Sequence, residues 1–127
     1  MELFSKGSLL KRYTVSFGGN PIGHKQQEGD QRTPEGLYSI QLHNPHSTCH
    51  VSLQVSYPSV NDRESARKRG VPPGGEIMIH GLPNGYWFVG RFQRFKDWTA
   101  GCIAVTDPEM EEIFRVVPDQ TPIEIHP

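Results

Sequence analysis

Apolar and polar residues alternate with a period of two along much of this chain, the spacing of a strand with one buried face. Met1 to Phe17 breaks at Gly7-Ser8 and predicts a hairpin, whose second strand carries Leu9, Lys11, Tyr13, Val15 and Phe17 on one side. The alternation resumes over Leu37 to Leu42. His43 to Ser47 reads as a turn, and Cys49 to Ser56 reads as the next strand. Glu76 to Ile79 predicts a short strand ending at His80, and Ile103 to Val105 is an apolar run entered through Gly101-Cys102. Thr121 to Ile125 supplies the last strand.

Helical spacing occurs twice. Asn61 to Gly70 predicts a short helix capped by Asn61 or Asp62, with Arg67, Lys68 and Arg69 opposing the dipole at its C-terminus and Gly70 stopping it. Met110, Ile113, Phe114 and Val117 recur at the period of a second helix that buries one face on the sheet. Its start is either Asp107 as cap with Pro108 behind it, or a capping box between Thr106 and Glu109. Together these elements predict a mainly β domain with short helices.

Composition narrows the class. The 127 residues support one domain with one core, spanning 1–127, and the 13 glycines and 11 prolines spread along the chain favour short strands joined by turns. Thirteen Lys plus Arg against 14 Asp plus Glu leave the chain nearly neutral, so no nucleic-acid partner is advertised. No apolar stretch approaches the ~18 residues of a membrane helix, and no charged start leads into an apolar leader. The chain is therefore expected to be soluble, without a membrane span, and the cytoplasm stays open as its compartment.

Candidate chemistry centres on Cys102 and His80. A glycine before the cysteine lets backbone amides approach a reacting carbonyl, the apolar run pins the thiol, and an imidazole ending a similar run can take its proton. The competing reading makes Cys102 a small buried hydrophobe. A Cys49 to Cys102 bridge would abolish the nucleophile. The long polar loop from Gly18 to Gly36 offers His24 and Arg32 as contacts. His43, His46, Cys49 and His50 have the spacing of half a zinc site with no remote second half, so no metal or other cofactor is expected. Between Gly81 and Lys96, aromatics interleave with Arg91, Arg94 and Lys96, which suit a cleft wall gripping an anionic substrate.

Four segments, in order, resemble the L,D-transpeptidase catalytic domain of the YkuD type, in its YafK-like branch: Gly29-Asp30-Gln31-Arg32-Thr33-Pro34-Glu35-Gly36-Leu37-Tyr38, Ile79-His80-Gly81, Asp97-Trp98-Thr99-Ala100-Gly101-Cys102-Ile103-Ala104-Val105 and Thr121-Pro122-Ile123-Glu124-Ile125. The resemblance implies an L,D-transpeptidase-like β-sandwich or barrel whose cysteine attacks a peptidoglycan stem peptide at meso-diaminopimelate through a thioester. It implies Cys102 as nucleophile, His80 as base, the Gly81 carbonyl holding the imidazole, and the Gly101 and Cys102 amides at the oxyanion. Trp98 and Thr99, inside the motif, join the expected substrate contacts. The commoner family pattern has Ser, His and Arg where this chain has Thr99, Ala100 and Ala104. Three outcomes stay open: joining stem peptides, hydrolysis as an L,D-carboxypeptidase or as an amidase that releases an envelope lipoprotein, and a peptidoglycan-binding module without activity. The resemblance implies a periplasmic or envelope location.

Overall fold

A computed structural model describes residues 1–85 and 99–127. Strands β1 (Glu2–Ser5) and β2 (Ser8–Arg12) form the expected hairpin. Strands β3 (Gly36–Ser47) and β4 (His50–Val55) are followed by helix α1 (Val60–Arg69) and strand β5 (Met78–His80). Strand β6 (Ile103–Ala104), helix α2 (Asp107–Val116) and strand β7 (Pro122–Ile125) complete the described elements. Five strands form one sheet in the order β6-β5-β4-β3-β7, antiparallel except for the parallel β5–β6 pair.

The core lies on one face of this sheet. Ile40, Leu53, Val55, Ile79, Ile103 and Val105 are buried there, and Met110, Ile113 and Val117 of α2 join the same cluster with Tyr13 from beyond the hairpin. Each such side chain contributes on the order of 2 kcal/mol by leaving water. An apolar cavity of about 570 Å³ opens between the hairpin and the sheet, lined by Phe4, Tyr13, Leu37 and Ile123. Ile79 and Ile103 also line it, so it lies on the face opposite their sequence neighbours His80 and Cys102.

Three boundaries differ from expectation for physical reasons. The predicted strand through Phe17 ends at Arg12, because the chain then leaves the hairpin and pairs Ser16 with Ala104 of β6. The predicted turn at His43–Ser47 is strand. Pro45 is tolerated because it falls in a register shift between Asn44 and Ser47, where no ladder amide is needed, and the true turn is at Thr48-Cys49. Helix α1 is capped by Ser59, not by Asn61 or Asp62; Asp62 instead closes the box by accepting from the Ser59 amide, and Gly70 ends the helix in the left-handed region. At α2 the Thr106–Glu109 capping box is the alternative that forms.

Candidate active site

The parallel pairing of Ile79 with Ile103 and His80 with Ala104 fixes the site. Because side chains alternate, the residues flanking the buried Ile79 and Ile103 are expected on the other face: Met78 and His80 on β5, Ala104 on β6 and Cys102 directly before it. Cys102 lies beside Met78 in this register, diagonal to His80 on the adjacent strand. Ser52 of β4 pairs with His80, is fully buried, and bonds Met78 Sδ through Oγ at 3.6 Å.

His80 is 5% exposed, and its Nδ1 lies 2.6 Å from the Gly81 carbonyl oxygen. A carbonyl only accepts, so Nδ1 carries the proton and Nε2 the lone pair. Gly81 is required here. A Cβ would lie 2.5 Å from Asp107 Oδ1 and 3.2 Å from the Cys49 carbonyl oxygen. Its own amide donates to that Cys49 carbonyl at 3.0 Å.

Cys102 Sγ donates to the Glu76 carbonyl at 3.3 Å. Glu76 has φ 53, a left-handed conformation in which a glutamate is strained. Burial pushes the Cys102 thiol up, against the Met78 amide and the Lys25 ammonium, which favour the thiolate. Burial pushes the His80 imidazole down, against the Gly81 carbonyl. Both directions favour a neutral thiol beside a neutral imidazole at rest. Cys49 and Cys102 are both free thiols, so no bridge joins them.

The turn before Cys102 is held by Thr99. The Thr99 hydroxyl donates to the Cys102 carbonyl at 2.7 Å and accepts from the Gly101 amide at 3.1 Å, with the residue 6% exposed. Thr99 thus straps the turn from inside, and the Gly101 amide, expected at the oxyanion, donates to the Thr99 hydroxyl in this structure. Gly101 has φ 132, and a Cβ would lie 2.6 Å from the Arg32 carbonyl oxygen, so only glycine permits this approach of the 18–36 loop.

That loop brings in residues that the sequence did not single out. Lys25 is 3% exposed and donates to Asp30 Oδ1 at 2.9 Å and to the Gln27 carbonyl at 3.2 Å. Asp30 also accepts from the amides of Gln26, Gln27 and Arg32. Burial opposes its charge, but the Gln26 amide, the Lys25 ammonium and the other two amides together hold its carboxyl at about 2. A lone lysine in a polar loop gives no signal of burial; the Gly-Asp turn does signal an acceptor for neighbouring amides.

The remaining expected contacts divide. The His24 ring is held on both sides: Nδ1 accepts from the Glu35 amide and Nε2 lies 2.9 Å from Asp62 Oδ1. Arg32 lies beside the Cys102 turn through its backbone. Its Nε is buried without a hydrogen-bond acceptor among the described residues. Arg91, Arg94, Lys96 and Trp98 lie outside the described residues. Of the metal-like cluster, His43 bonds Asp119 and the Val117 carbonyl, while His50 bonds Glu111. Among the described residues no three His, Cys, Asp or Glu side chains converge as a metal site would need, and no helix is long and apolar enough to cross a membrane.

The chain is similar to known proteins in sequence and fold. The chain is 29% identical over 111 residues to the protein named "Putative L,D-transpeptidase YafK" of Escherichia coli K12, covering 86% of this chain and 37% of that one. It is similar to the helical cell shape determining protein Pgp2 of Campylobacter jejuni, with a TM-score of 0.67 at 29% identity over 93% of this chain and 40% of Pgp2. An L,D-transpeptidase of Mycobacterium smegmatis shares the fold, with a TM-score of 0.59 at 14% identity over 95% of this chain and 51% of that one. The chain thus spans about two-fifths of the length of YafK and Pgp2. The curled sheet with two short helices is the architecture of these structures, as expected from the motifs. The family model of YkuD, the L,D-transpeptidase catalytic domain, matches residues 1–125, and the chain belongs to that family.

Proposed function

We propose that this chain is a cysteine-dependent peptidoglycan L,D-transpeptidase domain that cleaves a stem peptide at meso-diaminopimelate through a thioester on Cys102. The observation that supports this reading is the parallel pairing of β5, which ends at His80, with β6, which starts directly after Cys102, together with the imidazole tautomer set by the Gly81 carbonyl. In the proposed reaction Cys102 Sγ attacks the scissile carbonyl while His80 Nε2 takes the thiol proton. The resting pair is neutral by the burial of both groups, so proton transfer accompanies attack and no thiolate waits beforehand. The Cys102 amide is the proposed oxyanion donor, because the Gly101 amide is spent on Thr99.

Collapse of the tetrahedral intermediate breaks the peptide bond, and His80 returns the proton to the leaving amine. A second amine then attacks the thioester to form a new peptide bond, or water hydrolyses it. The two outcomes share every group named here. The proposed setting is the cell envelope, where peptidoglycan is found, and an envelope lipoprotein is one proposed acyl partner. Arg32 is the proposed contact for a stem carboxylate, supported by a buried Nε that has no hydrogen-bond acceptor among the described residues.

Mass analysis of products from purified diaminopimelate-containing muropeptides, with and without an added amine, tests the reading. Cross-linked product that depends on the amine supports transpeptidation, and hydrolysed product alone assigns the chain to the hydrolases. Unchanged processing by Cys102→Ala would remove the cysteine from the reaction.

A further inference from the structure

One peptide unit separates the His80 imidazole from a carboxylate. The Gly81 carbonyl accepts from His80 Nδ1 at 2.6 Å, and the amide on the other side of the same peptide bond, Leu82 N, donates to Asp107 Oδ1 at 2.8 Å. Hydrogen bonds at the two ends of one amide polarise it in the same sense. Electron density drawn to the oxygen by the carboxylate at the N–H makes the carbonyl a stronger acceptor for the imidazole. A Cβ on Gly81 would lie 2.5 Å from that carboxylate oxygen, so the glycine is what admits Asp107 to this position.

We infer that Asp107 is a positioning residue for His80, acting through the Gly81–Leu82 peptide in the place that a carboxylate occupies directly in a Ser-His-Asp triad. This rests on the reading of His80 as the base. No proton passes to Asp107. When Nε2 takes the thiol proton, the positive charge that develops on the ring is stabilised through Nδ1–H, the polarised carbonyl and the carboxylate beyond it. Lowering of the imidazole by burial makes this support useful, since a base pushed down by desolvation regains strength from a nearby negative charge.

The other charged groups around the relay are known. His50, just after the turn into β4, places Nδ1 3.9 Å from Asp107 Oδ2 and Nε2 2.8 Å from Glu111 Oε1, so it bridges two acids of α2. The Cys49 thiol lies on the same turn and feels the Asp107 charge. On the thiol side stand Lys25 and Glu76.

The test is an NMR titration of the His80 ring nitrogens in the parent chain, in Asp107→Asn and in Thr106→Ala. Asp107→Asn keeps shape and an acceptor but removes the charge, and is expected to lower the His80 midpoint by about one pH unit. It should also reduce kcat about tenfold with little change in KM, since the support is needed only as the ring becomes charged. Thr106→Ala breaks the capping box of α2, so it should lower the melting temperature and leave the His80 midpoint in place. An unmoved midpoint in a folded Asp107→Asn overturns the inference. If that variant does not fold, Asp107→Ser decides: loss of the carboxylate should move the Leu82 amide and the His80 Nδ1–H resonances together, and an unmoved His80 resonance overturns the inference. Inactivity of the parent chain toward muropeptides would sink the transpeptidase reading while leaving the titration result standing, so the two failures are separable.

Discussion

Replacing Asp30 by asparagine would remove the charge that organises the loop beside Cys102. In the folded chain the carboxyl titrates at about 2 instead of 3.8, because the Gln26 amide, Lys25 and two further amides outweigh the cost of burying it. The folded value lies below the unfolded one, so the stabilisation is complete above the unfolded value and is lost as pH falls through the folded value. At ~1.4 kcal/mol per pH unit the difference amounts to about 2 kcal/mol. Asp30→Asn forfeits this and leaves Lys25, 3% exposed, without its carboxylate. The buried ammonium brings the expected total to about 3 kcal/mol. Urea unfolding of parent and variant measures it. The difference should be full at about pH 7 and fall to about a third near pH 2.5, where the unfolded carboxyl is almost fully protonated and the folded one has begun to take up its proton. Lys25→Met in the Asp30→Asn background should recover part of the loss, because a single buried charge is worse than none. A difference of equal size at both pH values would refute the assignment of the stability to the carboxylate charge.

Two further outcomes follow from the site. Gly101→Ala places a methyl 2.6 Å from the Arg32 carbonyl oxygen at φ 132, so it should cost about 3 kcal/mol and slow alkylation of Cys102; a melting temperature equal to the parent's would contradict the required approach of the loop. The acid limb of kcat/KM should fall below the ordinary imidazole value of 6.5, because burial holds His80 down and the neutral ring is the base; a limb at or above 6.5 would contradict that environment.

The sequence brought out the proposed reactive pair because His80 ends one short apolar run and Cys102 opens another, and those runs became the adjacent strands β5 and β6. Hydrophobic alternation also located β4 and β7, and the Thr106-x-x-Glu109 spacing gave the start of α2. Pairing across the sheet was not legible. It turned the proline-containing segment His43–Ser47 into strand and drew Ser16 away from the hairpin toward Ala104. The internal hydrogen bonds of Thr99 and His24 were not legible either, since their partners lie in the Cys102 turn for Thr99 and in Glu35 and α1 for His24. Asp107 reads in the sequence as a helix-start residue, and only the return of β5 beside α2 gives it the Leu82 amide.

The most direct test of the central claim, that Cys102 attacks with His80 as its base, is the intact mass of the protein after mixing with a diaminopimelate-containing stem tetrapeptide. The account predicts an acyl adduct mapped to Cys102, absent in Cys102→Ala and slowed by orders of magnitude in His80→Ala. An adduct of the same mass that survives Cys102→Ala would contradict it.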